Sequence, residues 1–179
     1  MKPRNILLAL LIVGAVTGAL LWVYGPRSVD LDVQGVKYRL GEELTEETQL
    51  VRVNIEGDIW RSWRGVPRFV GTIDIEGEVP EVPAERKKVE VGLGGSAVDR
   101  LIVYDYFDDE GLHTVTYGSL YTDSDMRQVS INVFDESGGG QGWSSESGTM
   151  VTAPAQNWQQ ALELANKLMQ GEREGEVLK

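Results

Sequence analysis

Residues Ile6 to Tyr24 form an uninterrupted run of 19 residues without a charge, and this run constrains the chain more than any other feature. As a helix at 1.5 Å per residue it spans roughly 30 Å, the hydrocarbon thickness of a bilayer. Lys2 and Arg4 precede the run, whereas only Arg27 follows it closely, with Asp30 and Asp32 beyond. The positive-inside bias therefore predicts a membrane span with the N-terminus in the cytoplasm and the remainder outside. Trp22 and Tyr24 sit at the far end of the run, where amphipathic rings favour the headgroup level, and Gly25-Pro26 ends the helix. Cleavage of the segment as a signal peptide is the competing expectation, because Thr17-Gly18-Ala19 supplies small residues after an apolar stretch. Against cleavage, Leu20 to Tyr24 continues the apolar run directly. Both of these readings export the rest of the chain; a buried core helix is the third reading of the run.

The charge balance then limits the partners. Against 28 acidic residues the chain has 17 basic ones, and without Lys2 and Arg4 the remainder has 15, a net charge of about −13. Phosphate backbones are bound by surplus Lys and Arg, so nucleic acid is not an expected partner. With no cysteine, the chain has no disulfide, thiolate metal site, cysteine nucleophile or lipidated cysteine. Export without disulfides fits a Gram-positive bacterium better than a eukaryotic secretory route.

Beyond the linker at residues 25–28 the pattern changes to short strands punctuated by glycine, predicting an extracytoplasmic domain over 29–171 and a charged, frayed tail over 172–179. Val29 to Leu40 reads as two strands broken at Gly35. Alternation is clear in Leu50 to Glu56, with Val51, Val53 and Ile55 on one side, and again where Phe69, Gly71, Ile73 and Ile75 share a face. Further strands are expected at Lys87–Val91, Leu101–Phe107, His113–Tyr121, Gln128–Phe134 and Thr149–Thr152. Asp108-Asp109-Glu110-Gly111 and Asp123-Ser124-Asp125 serve as turns between them. Ser137 to Gly148 reads as a mobile low-complexity loop. Trp158, Ala161, Leu162, Ala165, Leu168 and Met169 form the stripe of an amphipathic helix, stopped by Gly171. The fold class expected is α+β: a transmembrane helix, then a mainly antiparallel sheet covered on one face by a C-terminal helix. A phrase recurs at Leu31–Gly35, Val53–Gly57 and Ile73–Gly77, and its glycines read as the turns that end strands.

A single N-terminal span followed by VNIEGDIWRSW (residues 53–63) and RFVGTIDIEG (residues 68–77) resembles small uncharacterised membrane-anchored proteins of endospore-forming Gram-positive bacteria. The likeness covers the anchor and roughly Val51 to Gly77. It implies topology and supplies no activity.

Enzymatic signatures are weak. Gly92 to Ala97 nearly matches a dinucleotide fingerprint, but a strand is expected to follow it and no helix N-terminus is in place for a pyrophosphate, so a hairpin turn is the simpler reading. His113 is the only histidine, and no serine lies in a nucleophile-elbow setting. Asp105, Asp108, Asp109, Asp123 and Asp125 are weak candidates for calcium, none with EF-hand spacing, and turn chemistry alone also favours Asp there. No catalytic residue, metal or cofactor is assigned.

The most unusual segment lies between Ile59 and Ile73, which holds no acidic residue in an acidic chain. Trp60, Arg61, Trp63, Arg64 and Arg68 combine apolar area with polar reach, the composition of a partner-binding anchor. The alternative packs the tryptophans under the C-terminal helix and pairs the arginines with Glu42, Glu43 and Glu46. The function expected is a membrane-anchored binding module of the cell envelope, held by residues 6–24, whose partner is an envelope protein or an anionic envelope component. The other classes are an envelope enzyme using a carboxylate or calcium site, and an accessory subunit whose span packs through Gly14 and Gly18. If that glycine face is used, Gly14→Ile or Gly18→Ile abolishes association of the isolated span in a membrane two-hybrid reporter; unchanged association eliminates the face.

Overall fold

The computed structural model describes residues 3–41, 48–61, 65–77, 82–83, 87–109, 111–136, 141–170 and 178, with the backbone alone at 3–9, 20–23, 135–136 and 141. A helix, α1 (Pro3–Tyr24), precedes four strands: β1 (Arg27–Arg39), β2 (Gln49–Trp60), β3 (Arg68–Ile75) and β4 (Lys88–Gly92). A short 3-10 turn (Ala97–Arg100) leads to β5 (Leu101–Asp108), β6 (Gly111–Thr122) and β7 (Val129–Val133). After the two-residue strands β8 (Asp135–Glu136) and β9 (Gln141–Gly142) come β10 (Thr149–Ala153) and the helix α2 (Trp158–Met169).

The eight long strands form one antiparallel sheet in the order β4-β3-β2-β1-β10-β7-β6-β5. Its two edge strands, β4 and β5, lie side by side with no ladder between them among the described residues, so the sheet is a nearly closed barrel. Tyr104 on β5 crosses this seam, its hydroxyl donating to the Ile73 carbonyl at 3.3 Å. A sheet with one covered face was expected. Curling instead gives the inner face its own core, built from Val53, Ile55, Phe69, Ile102, Leu120 and Ile131.

The helix serves a second core on the outside. Tyr38 and Met150 face outward from β1 and β10 and, with Leu40 just past the end of β1, pack against Ala161, Ala165 and Met169. The small alanines let the helix lie close to the sheet. Asn157, three residues after Pro154, caps α2, its side chain accepting from the Gln160 amide at 3.0 Å, which sets the helix start at Trp158. β7 is buried at every residue because it faces the barrel interior on one side and this outer core on the other. Its outward positions are polar, and Ser130 there bonds Thr152 at 2.9 Å, which in turn lies 3.3 Å from the Tyr38 hydroxyl. Burial raises the Tyr38 phenol well above its ordinary value.

Several expectations are corrected. β1 runs unbroken through Gly35, and Gly57 lies inside β2, so neither glycine is a turn; of the recurring three only Gly77 has a positive φ, 79°. Gly57 faces Gly71 across the β2–β3 ladder. A Cβ at Gly71 would lie 2.2 Å from the Glu56 carbonyl oxygen and 2.6 Å from the Phe69 ring, so the pair is kept bare to admit that ring. Gly92 to Ala97 does not close a hairpin but joins the two edge strands. Trp143, expected in a mobile loop, packs against the outer core and donates to the Thr149 carbonyl at 3.1 Å. In the expected frayed tail, Leu178 is buried, its amide bonded to Asn166 on α2 at 2.8 Å.

α1 forms over the expected apolar run. Among the described residues, however, no helix is long and apolar enough to cross a membrane. Over residues 10–19 every side chain is exposed, so this stretch buries none of its apolar surface on the barrel.

Gly71→Ala is expected to destabilise the barrel by about 1–3 kcal/mol or more in denaturant unfolding, through overpacking against Glu56 and Phe69. Gly142, where nothing lies within 4 Å of an added Cβ, is the control, and Gly142→Ala should stay within about 0.5 kcal/mol of wild type.

Candidate functional site

Strand register brings the sequence-singled residues to one end of the barrel. Arg27, the first residue of β1, faces Ile59; Ile59 faces Phe69, and Phe69 faces Val91. One residue further on, Trp60 faces Arg68, which faces Gly92. This is the end at which the chain enters from α1. The alternation that turns Ile59 into the core turns Trp60 outward, and Trp60 is 51% exposed.

Trp60, Arg61 and Arg68 line an open cavity of about 710 Å³ together with Val66, Glu90 and Asp99. Arg68 pairs with Glu90 on β4, and Arg61 lies 3.7 Å from Asp125 in the β6–β7 turn. Arg27 reaches the same Asp125 carboxylate at 3.4 Å. Asp99 sits in the 3-10 turn, where one of its oxygens accepts from both the amide and the hydroxyl of Ser96, each at 2.8 Å. The amide, then the hydroxyl, holds the Asp99 carboxyl below its ordinary value and so in the charged form. Gly92 is bare because a Cβ there would meet the Asp99 backbone carbonyl at 2.8 Å. An exposed indole, two guanidinium groups and two carboxylates thus surround one open cavity.

Of the predicted partner-binding residues, Trp60, Arg61 and Arg68 are brought together, and Trp63 and Arg64 lie outside the described residues. The alternative packing does not hold for Trp60. It is Trp143, and Trp158 of α2 itself, that pack against the outer core, and Arg61 and Arg68 have the partners given above. Glu42, Glu43 and Glu46 lie outside the described residues. Glu90, Asp99 and Asp125 escaped notice as members of the site. The glycine-rich segment from Gly92 was the available signal, since it marks close backbone approach as well as turns.

The weak calcium candidates do not converge. Asp108 faces Gly111 at one end of β6, and Asp123 follows Thr122 at the other. Over 12 residues of strand those ends are roughly 35–40 Å apart. Asp105 accepts from Thr114 at 2.7 Å, and Asp108 bonds His113 at 2.8 Å. Asp123 accepts from the amides of Arg127 and Gln128 at 2.8 and 3.1 Å, closing its own turn, and Asp125 is occupied by the two arginines. Among the described residues no three His, Asp or Glu side chains are grouped to hold a metal ion.

Comparison with protein-family models, curated proteins and solved structures finds no match.

A carboxyl with a lowered folded pKa stabilises the fold above its unfolded value, near 4, and loses that contribution as pH falls through the folded value. Asp99→Asn should therefore lower the melting temperature at about pH 7, where the charged acceptor is present, with a smaller deficit at about pH 3. An equal deficit at both pH values would contradict the role given to Ser96.

Proposed function

We propose that this chain is a membrane-anchored extracytoplasmic binding module of the cell envelope, with α1 as its anchor and the barrel end around Trp60, Arg61 and Arg68 as its contact surface. The observation that carries this is α1 itself. Leu10, Leu11, Ile12, Val13 and Val16 are each more than half exposed, so the helix presents apolar side chains all round and docks none of them on the barrel. A helix apolar on every side needs an apolar surrounding, and a bilayer supplies one. Lys2 and Arg4 ahead of it favour a cytoplasmic N-terminus. The likeness of residues 53–63 and 68–77 to membrane-anchored proteins of endospore formers points the same way.

The contact surface follows from the anchor, because Trp60 and Arg68 lie at the barrel end that α1 enters. An envelope protein or an anionic envelope component would meet an exposed indole flanked by guanidinium groups. A second reading, an accessory subunit of a membrane complex, is favoured by one observation: nothing lies within 4 Å of a Cβ built at Gly14 or Gly18, so that face is open to another helix. An envelope enzyme built on Asp105, Asp108, Asp123 and Asp125 draws no support from their separation.

Full-length protein is expected to stay with membranes through an alkaline carbonate wash, and a C-terminal tag should be digested by protease added to intact protoplasts. Release by carbonate would overturn the anchor, and a protected tag its orientation. A photoactivatable residue in place of Trp60 should give adducts in intact cells that one in place of Phe107, at the opposite barrel end, does not; equal yields would overturn the site.

A further inference from the structure

The tether between anchor and barrel is very short. α1 ends at Tyr24 and β1 starts at Arg27, leaving only Gly25 and Pro26 between them. Three Cα–Cα steps reach at most roughly 11 Å, so the barrel end is held against whatever surrounds the helix terminus. From β1 to β4 the sheet crosses three strand spacings, roughly 14 Å, which keeps Trp60, Arg68 and Gly92 beside the tether.

Exposed apolar side chains stand at both ends of the barrel. Outside residues 10–16, the large hydrophobics exposed among the described residues are Tyr24, Leu50, Trp60, Val98, Phe107 and Leu112. Tyr24 and Trp60 lie at the tether end, and so does Val98, which is 74% exposed in the 3-10 turn beside Gly92. Leu50 lies at the opposite end of the β1–β2 ladder, and Phe107 and Leu112 face one another at the far hairpin.

Charge sets this end apart as well. Its arginines are Arg27, Arg61, Arg68, Arg100 and Arg127. Its carboxylates are Asp58, Glu90, Asp99, Asp123 and Asp125, equal in number, so the described residues here balance. Outside this end the described residues hold 7 basic and 12 acidic residues, a net charge of −5. An anionic lipid surface repels those other faces and leaves this one free to approach.

Building on the anchor proposed above, we infer that the tether end of the barrel rests on the outer face of the bilayer, with Trp60 and Val98 seated among the lipid headgroups. The occupant of this surface is lipid. Indole favours that depth, and arginines beside it meet phosphate without leaving water. The bilayer then fixes how the barrel stands and presents the far hairpin, with Phe107 and Leu112, away from the membrane.

The absence of cysteine gives a clean test. Val98→Cys and Phe107→Cys, each made in the full chain and each at an exposed position, are labelled with a nitroxide and reconstituted in vesicles of phosphatidylethanolamine and phosphatidylglycerol. The label at 98 is expected to lose its collisions with a water-soluble nickel relaxant and to gain collisions with oxygen, while the label at 107 stays open to nickel. A label at 98 as open to nickel as that at 107, in protein that floats with the vesicles, overturns the lipid contact and leaves the anchor standing. Protection at 98 in native membranes but not in these vesicles also overturns it, assigning the surface to a protein. Protein that fails to float with the vesicles overturns the anchor, and the lipid contact falls with it.

Discussion

The register of β1 against β2, continuous over eleven residue pairs from Arg27↔Ile59 to Lys37↔Gln49, is the constraint on which the rest of the molecule depends. β1 is the seam between two runs of antiparallel strands. On one side lie β2, β3 and β4; on the other, through β10, lie β7, β6 and β5. Because side chains alternate along a strand, one register assigns both cores. Val29, Leu31 and Val33 face the barrel interior, while Val36, Tyr38 and Leu40 face α2. A slip of one residue would exchange those sets and expose both. The same register puts Arg27, and hence the tether, level with Ile59 and Trp60.

The strongest local patterns were legible in the sequence. Val51, Val53 and Ile55, and Phe69, Ile73 and Ile75, are buried as their alternation requires, and the stripe from Trp158 to Met169 is the helix it promised. Closure of the sheet was not legible, because it rests on β10 pairing with both β1 and β7, contacts distant in sequence that no local period encodes. Glycine misled for a different reason. A turn and a close approach both require the missing Cβ, so Gly77, with its positive φ, and Gly57, facing Gly71, look alike until strands are paired.

The site was half legible on the same grounds. Trp60, Arg61 and Arg68 stood out because they share a segment without carboxylates. Glu90 and Asp99 come from β4 and the 3-10 turn, and only pairing of β3 with β4 sets them opposite. The Arg68–Glu90 pair, with both side chains more than half exposed, contributes little to stability. Strand register therefore builds this surface, and the ion pairs decorate it.

The gap between β4 and β5 bears on how such molecules behave when crowded. An open sheet offers its outermost strands as templates for a neighbouring copy. Here each unlinked strand screens the other, and Tyr104 ties β5 across the gap to Ile73 on β3. A barrel whose edge strands β4 and β5 screen each other can reach high density without polymerising through them.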